Sequence, residues 1–143
     1  MKSVAFGSQE QERVMVTALS YERPASGEFY DDNWLLCEVQ VHAGAFHGKF
    51  HANFLTSEFA DLSIELGRLH RELRGEVSFE PMEEKLVLNF SCDNLGHIHV
   101  TGSARDEAGI GHKLSFSMSF DQTYLAKSLE DLGAVLRAFP VRT

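Results

Sequence analysis

Asn33-Trp34-Leu35-Leu36-Cys37-Glu38-Val39-Gln40-Val41-His42-Ala43-Gly44-Ala45-Phe46-His47-Gly48-Lys49-Phe50-His51-Ala52-Asn53-Phe54-Leu55 reads as one long two-stranded hairpin. Successive side chains on a strand point to opposite faces, so a period-two pattern separates two surfaces. Leu35, Cys37, Val39 and Val41 fall on one face of the first strand, and Phe46, Gly48, Phe50, Ala52 and Phe54 on one face of the second. The alternate positions carry mainly polar residues, among them Glu38, Gln40, His42, His47, Lys49 and His51. With Ala43-Gly44 as a two-residue turn, Glu38 lies opposite Lys49 and Gln40 opposite His47, and the apolar residues also face one another. A hairpin with one apolar face needs something to cover that face.

The covering elements are legible downstream. Phe59, Leu62, Leu66, Leu69 and Leu73 recur at spacings of three and four, which predicts a helix over Ser57–Arg74 with one apolar stripe. Thr56 or Ser57 suits its start, and Gly75 is placed to end it. Leu125, Leu129, Leu132, Leu136 and Phe139 predict a second helix over Gln122–Ala138, capped by Asp121 and stopped before Pro140. A first strand region comprises Val4–Phe6 and then Arg13–Tyr21. After the first helix, a short strand at Glu76–Phe79 precedes three alternating strands built on Leu86, Leu88 and Phe90, on Ile98, Val100, Gly102 and Ala104, and on Leu114, Phe116, Met118 and Phe120. The connections Asp93-Asn94-Leu95-Gly96 and Asp106-Glu107-Ala108-Gly109 are turn-rich and make these an antiparallel meander. The expected fold class is α+β: an antiparallel meander sheet with two amphipathic helices packed on one face, in the order β-β-β-α-β-β-β-α. The expected domain content is a single unit over residues 1–143, a length able to bury a core without metal or disulfide staples.

Charge and composition remove several function classes. Aspartate and glutamate number 21 against 13 lysines and arginines, giving a net charge of −8. Such a surface repels phosphate backbones, no Lys/Arg stripe offsets it, and nucleic-acid binding is not expected. No apolar run has the length of a membrane span, so no membrane partner is expected either. The start, Met1-Lys2-Ser3-Val4-Ala5-Phe6-Gly7, turns polar too soon for a signal peptide. The two cysteines, Cys37 and Cys92, lie on or at the end of strands and read as reduced core thiols. These points together predict a cytoplasmic protein.

The familiar catalytic patterns are missing from the sequence. Gly44-Ala45-Phe46-His47-Gly48-Lys49 is one residue short of a phosphate loop, with Phe50 where a Ser or Thr is needed. Leu69-His70-Arg71-Glu72-Leu73 lacks the second histidine of a zinc-protease helix, and there is no Gly-x-Ser-x-Gly elbow. The expectation is therefore a non-enzyme with no cofactor.

Two surfaces remain as candidate binding sites. The outer sheet face carries His97 and His99 two apart on one strand, along with Ser115, Ser117 and Ser119. The histidines are open to three readings: a metal or small-ligand module, a solvated polar face, or a pH-dependent surface. The serines make a flat platform that receives a partner or a second copy to give a homodimer, or is covered by the N-terminal strands. The second surface is the segment Glu22-Arg23-Pro24-Ala25-Ser26-Gly27-Glu28-Phe29-Tyr30-Asp31-Asp32, longer than an ordinary hairpin connection. Its carboxylates beside Phe29, Tyr30 and Trp34 match what protein interfaces use for anchoring and electrostatic steering. On an extended chain, the neighbouring Asp31 and Asp32 point apart and cannot share a proton.

Tyr21-Glu22-Arg23-Pro24 followed by Tyr30-Asp31-Asp32-Asn33-Trp34-Leu35 resembles the hallmark of WapI-like bacterial immunity proteins. Leu55-Thr56-Ser57-Glu58, Phe79-Glu80-Pro81 and Phe139-Pro140-Val141-Arg142 fit in the same order, so the resemblance spans most of the chain. It implies a cytoplasmic protein that binds and neutralises a cognate polymorphic toxin without catalysis. Such toxins are often basic nucleases, which suits an acidic surface. From the loop and the resemblance together, the expected contact residues are Tyr30, Asp31, Asp32 and Trp34, with Glu28 at the margin. The alternative is a metal- or small-ligand-binding module using His97 and His99.

Overall fold

A computed structural model describes residues 1–8 and 11–143. The strands β1 (Lys2–Gly7), β2 (Arg13–Tyr21), β3 (Trp34–Ala43) and β4 (Phe46–Leu55) form one antiparallel sheet in that order. A second sheet takes β5 (Gly75–Phe79), β6 (Leu86–Cys92), β7 (His97–Arg105) and β8 (Lys113–Asp121), again in chain order. A one-turn helix, α1 (Phe29–Asp32), interrupts the connection between β2 and β3. The long helices α2 (Thr56–Glu72) and α3 (Gln122–Ala138) each follow directly on the last strand of a sheet. The chain thus runs through the same sequence twice, four meandering strands and then a 17-residue helix. The α+β class and the succession of strands, helix, strands, helix are those expected, with the strands divided between two sheets.

The inner faces of both sheets and the stripes of both long helices meet in one hydrophobic core. Phe6 of the first sheet meets Phe90 of the second edge-on, with ring centroids 5.6 Å apart. Phe54, Phe59 and Phe79 join β4, α2 and β5. Cys37 is fully buried on an inner face, where desolvation pushes its thiol up to about 12, and both cysteines are free.

Two local expectations need correction. The hairpin turn is Gly44-Ala45, so Gln40 pairs with Lys49, Glu38 with His51 and His42 with His47. Gly44 has φ +63°, the left-handed value that a tight hairpin turn requires at its first central position. The expected turn at Ala43-Gly44 keeps the same parity, so it sorts the faces correctly while misplacing the partners. Likewise α2 ends at Glu72, not at Arg74. Leu73 adopts the left-handed conformation with its N–H on the Leu69 carbonyl, and Gly75 opens β5. At α3 the bounds are as expected, and Asp121 caps the helix by accepting the Thr123 N–H at 2.9 Å.

Helix α3 also seals the edge of the first sheet. On β1, Ala5 directs its N–H to Asp131 Oδ2 (3.2 Å), and its carbonyl accepts from the buried Ser128 hydroxyl (2.6 Å). Side chains of α3 thereby occupy backbone groups that an exposed edge would offer to another chain. Replacing Ser128 by Ala removes the donor and leaves a buried carbonyl unmet. The expected cost is about 1–2 kcal/mol, read as a lower urea midpoint; an unchanged midpoint would contradict this account.

Candidate functional site

The loop after β2 is held by two side chains that face inward. Asp32 is 4% exposed, and its carboxylate accepts from the Ser26 hydroxyl at 2.7 Å, the Ser26 N–H at 2.9 Å and the Gly27 N–H at 2.8 Å. The Ser26 hydroxyl bond is the main reason its pKa lies below the usual carboxylate range, with the two N–H groups and Arg23 adding to it. Asp32, expected as a contact residue with Tyr30, Asp31 and Trp34, is thus buried and ties the loop to itself.

Asn33 is fully buried and has all four amide hydrogen-bonding positions filled. Its Nδ2 donates to the carbonyls of Phe29 (2.7 Å) and Arg142 (2.9 Å). Its Oδ1 accepts from the Thr56 hydroxyl and from the Arg142 N–H, both at 2.7 Å. One amide thus joins α1, the start of α2 and the C-terminal segment. Arg142 lies 3.5 Å from the Tyr21 ring centroid and donates to the Arg23 and Asp32 carbonyls. Neither Asn33 nor Arg142 was singled out from residue chemistry. A lone Asn beside a strand carries no periodic signal, and its partners are distant in sequence.

On this base the next residues are displayed outward. Tyr30 is 66% exposed and Phe29 43%, their rings edge-on at 5.4 Å. Glu28 is exposed, and Asp31 is exposed with an ion pair to Arg23 at 3.1 Å. Trp34 is half-buried on the outer side of β3. Four of the five expected residues, Glu28, Tyr30, Asp31 and Trp34, are therefore reachable, and Phe29 joins them. Acidic surface continues from the loop. Asn53 bridges Glu22 (2.6 Å) and Glu83 (3.3 Å), and beyond it Glu58, Asp61, Glu65 and Glu80 border an open hollow of about 300 Å³. The Glu58 carboxyl is raised by burial while holding the N–H groups of Leu55 and Met82, and the negative charges of Glu83 and Asp61 raise it further.

The outer face of the second sheet is uncovered: Ser115, Ser117 and Ser119 are exposed, and the N-terminal strands build the other sheet instead of lying over them. His97 and His99 both turn to Asp93, with Nδ1 and Nε2 respectively 3.3 and 3.2 Å from one carboxylate oxygen. His99 Nδ1 also meets the Ser119 hydroxyl at 2.7 Å. The pKa of Asp93 is held far below the usual carboxylate range, first by the His97 and Leu95 N–H groups and then by the two imidazoles. Among the described residues no group of three or more His, Cys, Asp or Glu side chains is placed to hold a metal ion. No helix among them is long and apolar enough to cross a membrane.

Comparison with known proteins adds the last element. No curated protein matches the chain. The solved structure of the plant transcriptional regulator PBF-2 is similar in fold, with a TM-score of 0.53 at 16% identity, covering 96% of this chain and 80% of that one. At that identity the likeness speaks of architecture alone. The Immunity protein WapI-like family matches residues 5–140, nearly the whole of this α+β chain with its pinned acidic loop, and the chain belongs to that family.

Proposed function

We propose that this chain binds and neutralises a cognate protein toxin, using the prominence Glu28-Phe29-Tyr30-Asp31 as the centre of the contact and Trp34 at its margin. The observation that carries this reading is the exposed aromatic pair, Phe29 and Tyr30, set among carboxylates on a loop rigidified by Asp32 and Asn33. Large exposed rings bury much area at low entropic cost, and a preformed loop avoids the ordering penalty of binding. The acidic surface running through Glu22 and Glu83 to the hollow beside α2 favours a basic partner, such as a nuclease domain, and accelerates its approach. Membership of an immunity family supports toxin binding in general, and inhibition by a covering surface requires no reaction at the interface.

The test is a binding assay of wild type and variants against basic toxin nuclease domains. Tyr30→Ala combined with Asp31→Lys is expected to weaken binding roughly 30- to 100-fold, as for a central anchor plus a steering charge. Glu28→Lys should chiefly slow association and lose its effect in high salt. Unchanged affinity in the double variant would remove the loop from the interface.

A further inference from the structure

Among the described residues, the outer face of the first sheet near the β3–β4 turn carries Arg13, Lys49, His42 and His47, with Glu38 farther along it. Register places Arg13 of β2, His42 of β3 and His47 of β4 side by side in one row, and Gln40 and Lys49 in the row two residues along. With the hairpin backbone these side chains line an open hollow of about 450 Å³. No carboxylate is among the described residues that line it, although the chain carries 21 acidic residues against 13 basic ones. The imidazoles of His42 and His47 face each other, Nε2 to Nε2 at 2.9 Å, with ring centroids 3.7 Å apart. That separation accommodates one proton between the two nitrogens, and a second is repelled unless negative charge arrives.

We propose that this hollow is a binding site for a small multivalent oxyanion of the phosphoryl class, held by the Arg13 guanidinium, the Lys49 ammonium and the His42–His47 pair. Guanidinium presents a planar fork matched to two oxygens of a phosphoryl group, while an ammonium acts as a point charge. Two imidazoles add donors whose strength depends on protonation. A tetrahedral oxyanion offers acceptors in enough directions to meet all four groups, which a single planar carboxylate does not.

The surrounding charges support the assignment. His42 is held below the ordinary imidazole range by burial first, then by His47 and Arg13, so its protonated form is disfavoured unless negative charge is added. A bound anion reverses this, and binding therefore takes up a proton. Among the described residues, the charged groups facing the pair are Arg13 from β2 and Lys49 from β4. Glu38 of β3 lies farther along the face, where it accepts from the Gln40 amide at 3.1 Å and meets Lys49 at 3.8 Å. The site is independent of the toxin-binding reading, because His42 lies eight residues along β3 from Trp34, roughly 27 Å at strand spacing.

The experiment is a titration of the full chain with sodium pyrophosphate at constant ionic strength, followed through the imidazole NMR signals and by calorimetry at pH 6 and pH 8. Saturable, one-to-one shifts of His42 and His47, with affinity roughly tenfold higher at the lower pH, are the expected result. Lys49→Gln, an exposed substitution, should weaken binding roughly tenfold with an unchanged unfolding midpoint, and Arg13→Gln more strongly. Succinate serves as the planar-carboxylate arm and should bind more weakly. No saturable shift at millimolar pyrophosphate, or equal shifts at His97, His99 and His112, would overturn the site. Equal affinity for succinate would overturn the phosphoryl assignment, and equal affinity at both pH values would overturn the part given to the imidazoles.

Discussion

Replacing Asn33 by Asp is expected to lower the unfolding free energy by about 4 kcal/mol at neutral pH, from two buried carbonyls losing their donors and a charge set in their place. The carbonyl oxygens of Phe29 and Arg142 now receive the Asn33 amide at 2.7 and 2.9 Å. An aspartate keeps the acceptor used by Thr56 and the Arg142 N–H but turns a second carboxylate oxygen toward those carbonyls. For a chain of 143 residues, about 4 kcal/mol corresponds to a Tm lower by roughly 8–16 °C. The pH dependence has a definite sign. Burial and two facing carbonyls raise the pKa of the new carboxyl in the folded state above its unfolded value near 4. Its protonated form is therefore the better tolerated one, and the deficit shrinks as pH falls from 7 toward 4. Denaturation of both proteins across that range is the measurement. Equal midpoints at neutral pH would show that Asn33 does not hold the junction. In a toxin-capture assay the variant should lose affinity together with stability, whereas Tyr30→Ala loses affinity alone.

The residues around Asn33 explain why short and individually unspecific words resemble a family. Tyr21 receives the Arg142 guanidinium on its ring, meets Phe139 edge-on at 5.5 Å and donates its hydroxyl to the Pro140 carbonyl. Thr56 bonds to Asn33, and Glu58 bridges the Leu55 N–H to the Met82 N–H just beyond Pro81. Words drawn from the beginning, middle and end of the chain thus converge at one end of the molecule. Those that meet Asn33 and Tyr21 fix the loop's base. The exposed Phe29 and Tyr30 stand on that base, and a contact surface can differ in chemistry while the support beneath it stays the same.

How much of this was legible depended on whether a feature has a local cause. Alternation in β3 and β4, the stripes of both helices and the Asp121 cap are local, and each reads correctly from neighbouring residues. The split into two sheets is not local. A period-two pattern states that one face of a strand is covered and is silent on whether the cover is a helix or another sheet, which here depends on meetings such as Phe6 with Phe90. The turn at Gly44-Ala45 escaped for a related reason, since both candidate turns leave the apolar residues on one side. Asp31 and Asp32 show the limit at the site. They were expected to point apart on an extended chain but lie in the helical turn α1, and nothing in two identical neighbours tells which one faces solvent beside Arg23 and which one accepts from Ser26 and Gly27.

Gly102→Val is expected to cost about 4 kcal/mol, a large share of the 5–15 kcal/mol that stabilises a domain. Gly102 sits in the middle of β7, with Leu88 beside it on β6 and Phe116 on β8. A Cβ added there would come within 2.7 Å of the Val87 carbonyl oxygen and 2.9 Å of both Leu88 Cδ2 and Phe116 Cζ. The first of these atoms is backbone in the neighbouring strand, so it cannot yield without breaking the ladder, and a branched side chain has nowhere else to go. In sequence, a glycine within a strand reads as a weakness. Here the Phe116 ring occupies the space that a side chain would have used, which makes the glycine part of the core. Gly48 supplies the control, since it too lies within a strand but has no atom within 4 Å of an added Cβ. Gly48→Ala should therefore be neutral or stabilise by up to about 1 kcal/mol, through the smaller entropy of the unfolded chain. Guanidinium unfolding of the three proteins separates the two glycines. A Gly102→Val variant as stable as wild type would mean that β6, β7 and β8 can part without loss, and that the packing of Phe116 over Gly102 is not what holds this sheet together.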